Sequence, residues 1–349
     1  MARIIYGVMG DARGHVNRSL AVMQTLLERN PDHEFCFVGG GTVRDFADMG
    51  FRYEQFPMLE TVLRDGRVAG WATLSNAMSI LLRRGEHVAR LMKIMEEFKA
   101  DIAITDYEYF TPRAAKKIGI PAISLDHQHV LTHTQCIVPK EQRLNRISSD
   151  SVIRFLYSAA ERFIVSSFYR PEALDSEITE VYPPILNKPV RALDAPELGD
   201  HVLVYVRGGS LERLTPVLDA VQRKVFVYGF EEQPSRGNVV FRKTSRSGFL
   251  EDLRTAAYVI SNGGHNLISE SLYLGKPVYA IPTGFFYEQF INAVYLERMG
   301  IGMYSVRMED AAARIPEFEA RQDVMRANIA THQFFGNDAI ADRIESLIP

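Results

Sequence analysis

Ser261-Asn262-Gly263-Gly264-His265-Asn266-Leu267-Ile268-Ser269-Glu270 follows the apolar run 259–261 and opens a helical periodicity that continues to Pro277. A strand that breaks on two glycines and turns into a helix is a βα unit with an anion site at its turn. Gly263 and Gly264 let the backbone approach an oxygen closely, and the free N–H groups at the positive end of the helix dipole favour a diphosphate there. Turns of this kind occur throughout α/β proteins, and the plain alternative is a turn that only packs a helix.

Working outward, residues 201–206, 225–228 and 278–281 read as further strands with helical periodicity between them. The same alternation fills the first half: strands at 4–9, 35–38, 102–105 and 121–125, helices at 16–28, 43–49, around 75–98 and at 111–118. Between 183 and 200 the pattern stops, and Pro183, Pro184, Pro189 and Pro196 stand among polar residues as in an extended connector. The expectation is an α/β protein of two doubly wound Rossmann-like domains facing a central cleft. Residues 1–185 form the acceptor-binding and catalytic domain and 186–330 the donor domain. Residues 331–349 form a last helix that crosses back to the first.

The bulk properties agree. A chain of 349 residues with 46% apolar and 24% charged residues has the composition of a globular protein, long enough for two cores. A net charge of −3 without a basic half excludes a nucleic-acid partner. Cys36 and Cys136 have no disulfide or zinc spacing, and no apolar run spans a bilayer, so a cytoplasmic protein is expected, with a peripheral position at the inner membrane face as the alternative.

Residues 261–277, with Pro277-Val-Tyr-Ala-Ile-Pro282 and Tyr287-Glu-Gln-Phe-Ile-Asn292, resemble the donor-site signature of GT-B nucleotide-sugar glycosyltransferases. They are similar to the family 1 UDP-glycosyltransferases of plants and microbes and to the peptidoglycan N-acetylglucosaminyltransferase. The resemblance implies that Asn262, Gly263, Gly264, His265 and Asn266 hold the diphosphate of a UDP- or dTDP-sugar and that Glu270 binds its ribose. It places Glu288 and Gln289 on the sugar hydroxyls, with Asn292 one turn along the same helix face. Ser210, closing Arg207-Gly-Gly-Ser210, matches a residue that touches phosphate, and Phe249 is placed against the base. No cofactor and no metal are implied, the nucleotide sugar being a substrate.

In the first half, Gly10-Asp-Ala-Arg-Gly-His-Val-Asn-Arg-Ser19 lies between the first strand and first helix. Gly14 and His15 resemble the Gly-His that carries the catalytic base of many such enzymes. A neutral imidazole can take a proton from an acceptor hydroxyl. The resemblance also implies that an aspartate at the end of a later strand orients that histidine, and Asp106 stands at the equivalent place; with both strand ends on one rim, a His15–Asp106 hydrogen bond is predicted, with Asp11 in the same turn as the fallback base. Gly-His-Val-x-Arg also resembles the opening of UDP-sugar hydrolases of this fold. The alternatives to sugar transfer are therefore a UDP-sugar hydrolase and a non-catalytic nucleotide-sugar-binding subunit.

His127, His129 and His133 have the spacing of metal ligands, but acceptor binding or packing explains His127 and His129 equally well. The acceptor is a small molecule, a glycan or a lipid-linked sugar. Residues 66–99, and 140–170 with six basic against three acidic residues, read either as a membrane-surface contact or as amphipathic helices packed on the sheet. The helical insertion after Pro57 argues for a bulky acceptor.

Overall fold

A computed structural model describes residues 1–11, 13–59, 63–64, 67–68, 70–206, 210–230, 233–243, 245–283 and 287–349, of which residues 63–64, 67–68, 70–74 and 141 by backbone alone. The chain forms two compact units, Met1–Lys188 with Gly336–Pro349, and Pro189–Phe335.

The first unit is built on a seven-stranded sheet in the order Arg52–Gln55, Glu34–Gly39, Arg3–Val8, Ile102–Asp106, Ala122–Asp126, Arg162–Ser166 and Thr179–Tyr182. Every pairing is parallel. The inner strands are largely apolar because both faces are covered, while the edge strands Arg52–Gln55 and Thr179–Tyr182 carry polar residues. Ile4, Tyr6 and Val8 pack with Val16, Val22 and Leu26 of the helix Arg13–Arg29. Ile5 points the other way, into a cluster with Val88, Leu91 and Ala114.

The helix Asn337–Ser346 belongs to this unit. The fully buried Asn337 fixes it: its Nδ2 donates to Thr25 Oγ1 and to the Leu186 carbonyl, and its Oδ1 accepts from Leu186 N, all at 2.8–2.9 Å. Ile340, Ala341 and Ile344 join the core below it, and Arg29 pairs with Asp342 and Glu345.

The second unit carries a six-stranded parallel sheet in the order Val239–Phe241, Lys224–Tyr228, His201–Tyr205, Tyr258–Ser261, Val278–Ala280 and Gly302–Tyr304. Its core is one cluster that includes Val204, Leu214, Val227, Ile260, Tyr279 and Phe318.

The structure differs from the sequence expectation in detail. The long helix around 75–98 is two helices, Gly70–Leu82 and Arg84–Phe98, broken at Arg83 just before Gly85, a residue that weakens a helix interior. The connector holds the short helix Lys188–Arg191, with Pro189 near its start. The unit boundaries fall after residues 188 and 335 because Gly336 N is bonded to the Pro184 carbonyl and Asn337 to Leu186.

Candidate functional site

In each sheet two adjacent strands mark the point where the order reverses, and such points are where α/β folds bind ligands. In the first unit these strands are Arg3–Val8 and Ile102–Asp106, with Val8 opposite Asp106. His15 and Arg18 lie three residues apart at the start of the helix that follows Arg3–Val8, hence on one helix face. His15 Nδ1 lies 2.7 Å from Asp106 Oδ1, the contact the sequence predicts. That distance to a carboxylate places the proton on Nδ1 and leaves Nε2 as an acceptor. Among the described residues no hydrogen bond engages Nε2.

Sequence reasoning gave Arg18 no role of its own. Its Nε and Nη2 grip Asp106 bidentately at 2.8 and 2.6 Å, and Nη2 lies 3.1 Å from His15 Nδ1 and 3.3 Å from Gln128 Oε1. Arg18 is almost wholly buried and Asp106 is 0% exposed. A buried carboxylate needs such a partner, and the bidentate fork also fixes its orientation.

Tyr107, the next residue, has φ +57°, rare for a bulky side chain. Its ring stacks on His15, with centroids 5.8 Å apart, and on Tyr157 at 3.8 Å. Backbone strain of this kind amounts to about 1–3 kcal/mol and persists where the surroundings impose it. The signal in the sequence was an aromatic residue directly behind a strand-end aspartate.

Asp11 is exposed, and Gly14 half-buried. The acceptor contact expected of His127 and His129 needs correction. Both rings are buried, because His127 Nδ1 bonds the Ser166 carbonyl at 3.2 Å and His129 Nδ1 bonds Asp126 Oδ2 at 2.6 Å. Neither offers a surface to an acceptor in this conformation. Burial would raise the Asp126 carboxyl, but His129 outweighs it and holds the group below the usual carboxylate range. Burial, with His129 beside it, pushes His133 down to about 4. Among the described residues no three or more His, Cys, Asp or Glu are grouped to hold a metal ion.

In the second unit the reversal falls between His201–Tyr205 and Tyr258–Ser261, and the turn 261–264 lies at its carboxyl edge. Gly263 has φ +83°, and a Cβ there would stand 2.8 Å from the Gln289 carbonyl oxygen, so both conformation and space require glycine. Gly264 caps the helix His265–Tyr273, and a Cβ at Gly264 would meet open space. Asn262 Nδ2 donates to the Ile281 carbonyl at 3.2 Å, and Asn266 is half-buried.

His265 packs against its own helix, Nε2 lying 3.3 Å from Ser269 Oγ. Asn292, expected on the donor-binding face, is fully buried, and its Nδ2 donates to the Gly263 carbonyl at 3.0 Å, so it shapes the turn and does not face a ligand. Gln289 Oε1 accepts from Thr283 N and Oγ1 at 3.2 and 2.8 Å, while Glu288 is half-buried in the first turn of the same helix, Tyr287–Arg298.

Glu270 stands apart. It is half-buried, its carboxylate makes no hydrogen bond among the described residues, and desolvation pushes that carboxyl up to about 7, with Arg246 pulling back. A raised carboxyl without a hydrogen-bond partner among the described residues, six residues past the turn 261–264, is a candidate ligand contact.

Phe249 is half-buried and edge-on to Tyr205 and Tyr228, with centroids 5.7 and 5.0 Å away, both at strand carboxyl ends. Ser210 is exposed and caps the helix Leu211–Ala220, accepting from Arg213 N at 3.3 Å. Arg207, Gly208 and Gly209, read with it as one motif, lie outside the described residues.

The sequence model of glycosyl transferase family 1 matches residues 2–321. An uncharacterized glycosyltransferase of Methanosarcina acetivorans is 22% identical over 325 residues, 86% of this chain and 84% of that protein. The UDP-N-acetylglucosamine–N-acetylmuramyl-(pentapeptide) pyrophosphoryl-undecaprenol N-acetylglucosamine transferase of Parabacteroides distasonis is 24% identical over 343 residues, 90% of this chain and 86% of that one. Among solved structures, Medicago truncatula UGT71G1 complexed with UDP-glucose superposes with a TM-score of 0.68 at 13% identity, covering 100% of this chain and 98% of that one. At that identity the likeness is one of fold.

Proposed function

The chain belongs to glycosyl transferase family 1 and is a glycosyltransferase of the GT-B fold, and on that premise we propose that it moves the sugar of a UDP- or dTDP-sugar onto an acceptor hydroxyl, with inversion and without a metal. The observation that carries the proposal is the 2.7 Å contact of His15 with Asp106 at a sheet reversal, which leaves Nε2 to act as base.

In the reaction Nε2 takes the hydroxyl proton as the acceptor oxygen attacks the anomeric carbon. The bond from that carbon to the diphosphate breaks, and the diphosphate leaves with the electron pair. Asp106 fixes the Nδ1–H tautomer and faces the imidazolium that forms. Because Arg18 already neutralises Asp106, the carboxylate positions the ring more than it adds net charge.

In the second unit, N–H groups at the start of His265–Tyr273 hold the diphosphate and stabilise its developing charge, a task that needs no cation. The acceptor-only oxygens of Glu270 suit the ribose diol.

Calorimetric titration of UDP, dTDP, GDP and ADP without added metal, against wild type and Glu270→Ala, tests the donor site. Pyrimidine diphosphates should bind selectively and lose affinity in the variant; absence of all nucleotide binding would end the proposal. Product analysis then separates the alternatives. Glycoside formation supports transfer, free sugar released as fast as UDP without acceptor means hydrolysis, and no turnover with any acceptor means a binding subunit.

A further inference from the structure

Among the described residues two non-glycine residues have a left-handed backbone, Lys99 and Tyr107. Lys99 ends the helix Arg84–Phe98, where such a residue is a usual stop. Tyr107 follows a strand, and glycine would adopt its φ of +57° at no steric cost, yet the chain carries a bulky side chain there. The turn around it is held by its neighbours. Thr105 Oγ1 accepts from Glu108 N at 3.0 Å, and the Glu108 carboxylate accepts from Phe110 N and Thr111 N at 2.8 and 2.7 Å. What tyrosine adds to this turn is its ring.

The ring sits in a closed frame. Tyr157, itself buried, stacks on it with planes 19° apart, and His129 meets it edge-on with centroids 6.5 Å apart. His129 is anchored twice: Nδ1 lies 2.6 Å from Asp126 Oδ2, and Nε2 lies 3.3 Å from the hydroxyl of Ser158, the residue after Tyr157. Against this frame the Tyr107 ring lies nearly parallel to the imidazole of His15, with planes 11° apart.

We infer that Tyr107, buttressed by Tyr157 and by the His129–Asp126 pair, is a positioning residue for the His15 imidazole; the inference rests on His15 acting as the base. A single hydrogen bond at Nδ1 leaves the imidazole plane able to rock about that contact. A parallel ring beside it removes this freedom and keeps Nε2 aimed one way. When the imidazole takes a proton, the π face of Tyr107 also meets a cation, while Arg18, 3.1 Å from Nδ1, opposes that charge. The second His–Asp pair, which offers no surface to an acceptor, acts through the ring it supports.

In the full chain without ligand, the His15 Nδ1–H resonance, assigned by its loss in His15→Ala, reads the frame directly. It should exchange with water about tenfold faster in Tyr107→Leu, and equally in Tyr107→Gly, whose backbone suits the turn. Tyr107→Phe, which keeps the ring, should restore the slow rate. With a UDP-sugar and an acceptor that supports turnover, kcat should fall about tenfold in the ringless variants and recover in Tyr107→Phe. UDP affinity should stay within about a factor of two throughout. Tyr157→Leu alone should lower kcat, and should add nothing to Tyr107→Leu because it acts through that ring. A wild-type exchange rate in both ringless variants, or a loss that Tyr107→Phe shares, would overturn the inference. So would equal losses of kcat and UDP affinity. The exchange readout needs no turnover: a wild type that transfers no sugar ends the transfer proposal, while the hold of Tyr107 on the imidazole is still decided by the exchange rates.

Discussion

The two sheet reversals are finished in opposite ways. At the end of Ile102–Asp106 both carboxylate oxygens are claimed by the protein, by Arg18, His15 and Ser19, and Tyr107 stacks on His15. At the turn 261–264 the protein stops short, with open space over Gly264 and Glu270 desolvated without a hydrogen-bond partner among the described residues. On the proposed function the contrast has a reason: a base must hold its geometry in every turnover, so its partners are built in, whereas a donor site that satisfied its own groups would have to release them first.

The comparison breaks if the interlocked cluster does no chemistry. His15→Ala should lower kcat by about 10²–10⁴-fold while nucleotide affinity, read by calorimetry, stays within a factor of two or so of wild type. Equal losses in kcat and affinity would instead place His15 on the donor.

Next in size is the effect on the fold itself. Arg18→Met leaves Asp106 buried with the imidazole and the Ser19 hydroxyl, the latter at 3.4 Å, as its remaining side-chain partners, and should cost about 3–5 kcal/mol in urea unfolding of the enzyme. Arg18→Met/Asp106→Asn should recover most of that, because the uncompensated charge is gone. If the single variant is as stable as wild type, the interlocking is ornamental and the contrast between the two reversals disappears.

Much of this was legible in advance. The strands 3–8, 102–106 and 258–261 are built on largely apolar runs and Asp106 stands where one ends, so strand placement together with the resemblance that pairs such a histidine with a strand-end aspartate led to the His15–Asp106 contact. What escaped was set by partners distant in sequence. Arg18 reads as one more polar helix residue until a carboxylate 88 positions away meets it. The φ of Tyr107 has no local cause such as glycine. His127 and His129 sit just behind a strand, and only the pairing with Arg162–Ser166 and with Asp126 turns them inward. Arg52–Gln55, Arg162–Ser166 and Thr179–Tyr182 were not read as strands: two are four-residue segments with polar residues, and the third begins on an exposed arginine.

Gly263→Ala sharpens the contrast from the other side. The added Cβ meets the Gln289 carbonyl at 2.8 Å and the backbone must keep φ near +83°, so a loss of about 1–3 kcal/mol in stability is expected. Nucleotide affinity should fall with it, since the turn moves. Gly264→Ala has open space, and any loss of affinity there without loss of stability would mark the ligand's own position.

The smallest effect is the most specific to an unfinished site. The Glu270 carboxyl, ordinarily near 4.5, is raised to about 7 by desolvation. The unfolded chain therefore releases this proton at lower pH than the folded one. The stability contribution is full below about 4.5 and is lost as pH rises toward 7. Glu270→Gln should remove that slope and leave the variant more stable at pH 8 by on the order of 1 kcal/mol, the figure kept low because solvent reaches the group. Nucleotide binding should run the opposite way. A ribose diol donates to the ionised carboxylate and favours it, so affinity should climb between pH 6 and 8 in wild type more steeply than in the variant, which cancels the titration of the phosphates themselves. Parallel pH profiles for the two proteins would mean that Glu270 does not touch the ligand and that its raised carboxyl is a cost of packing.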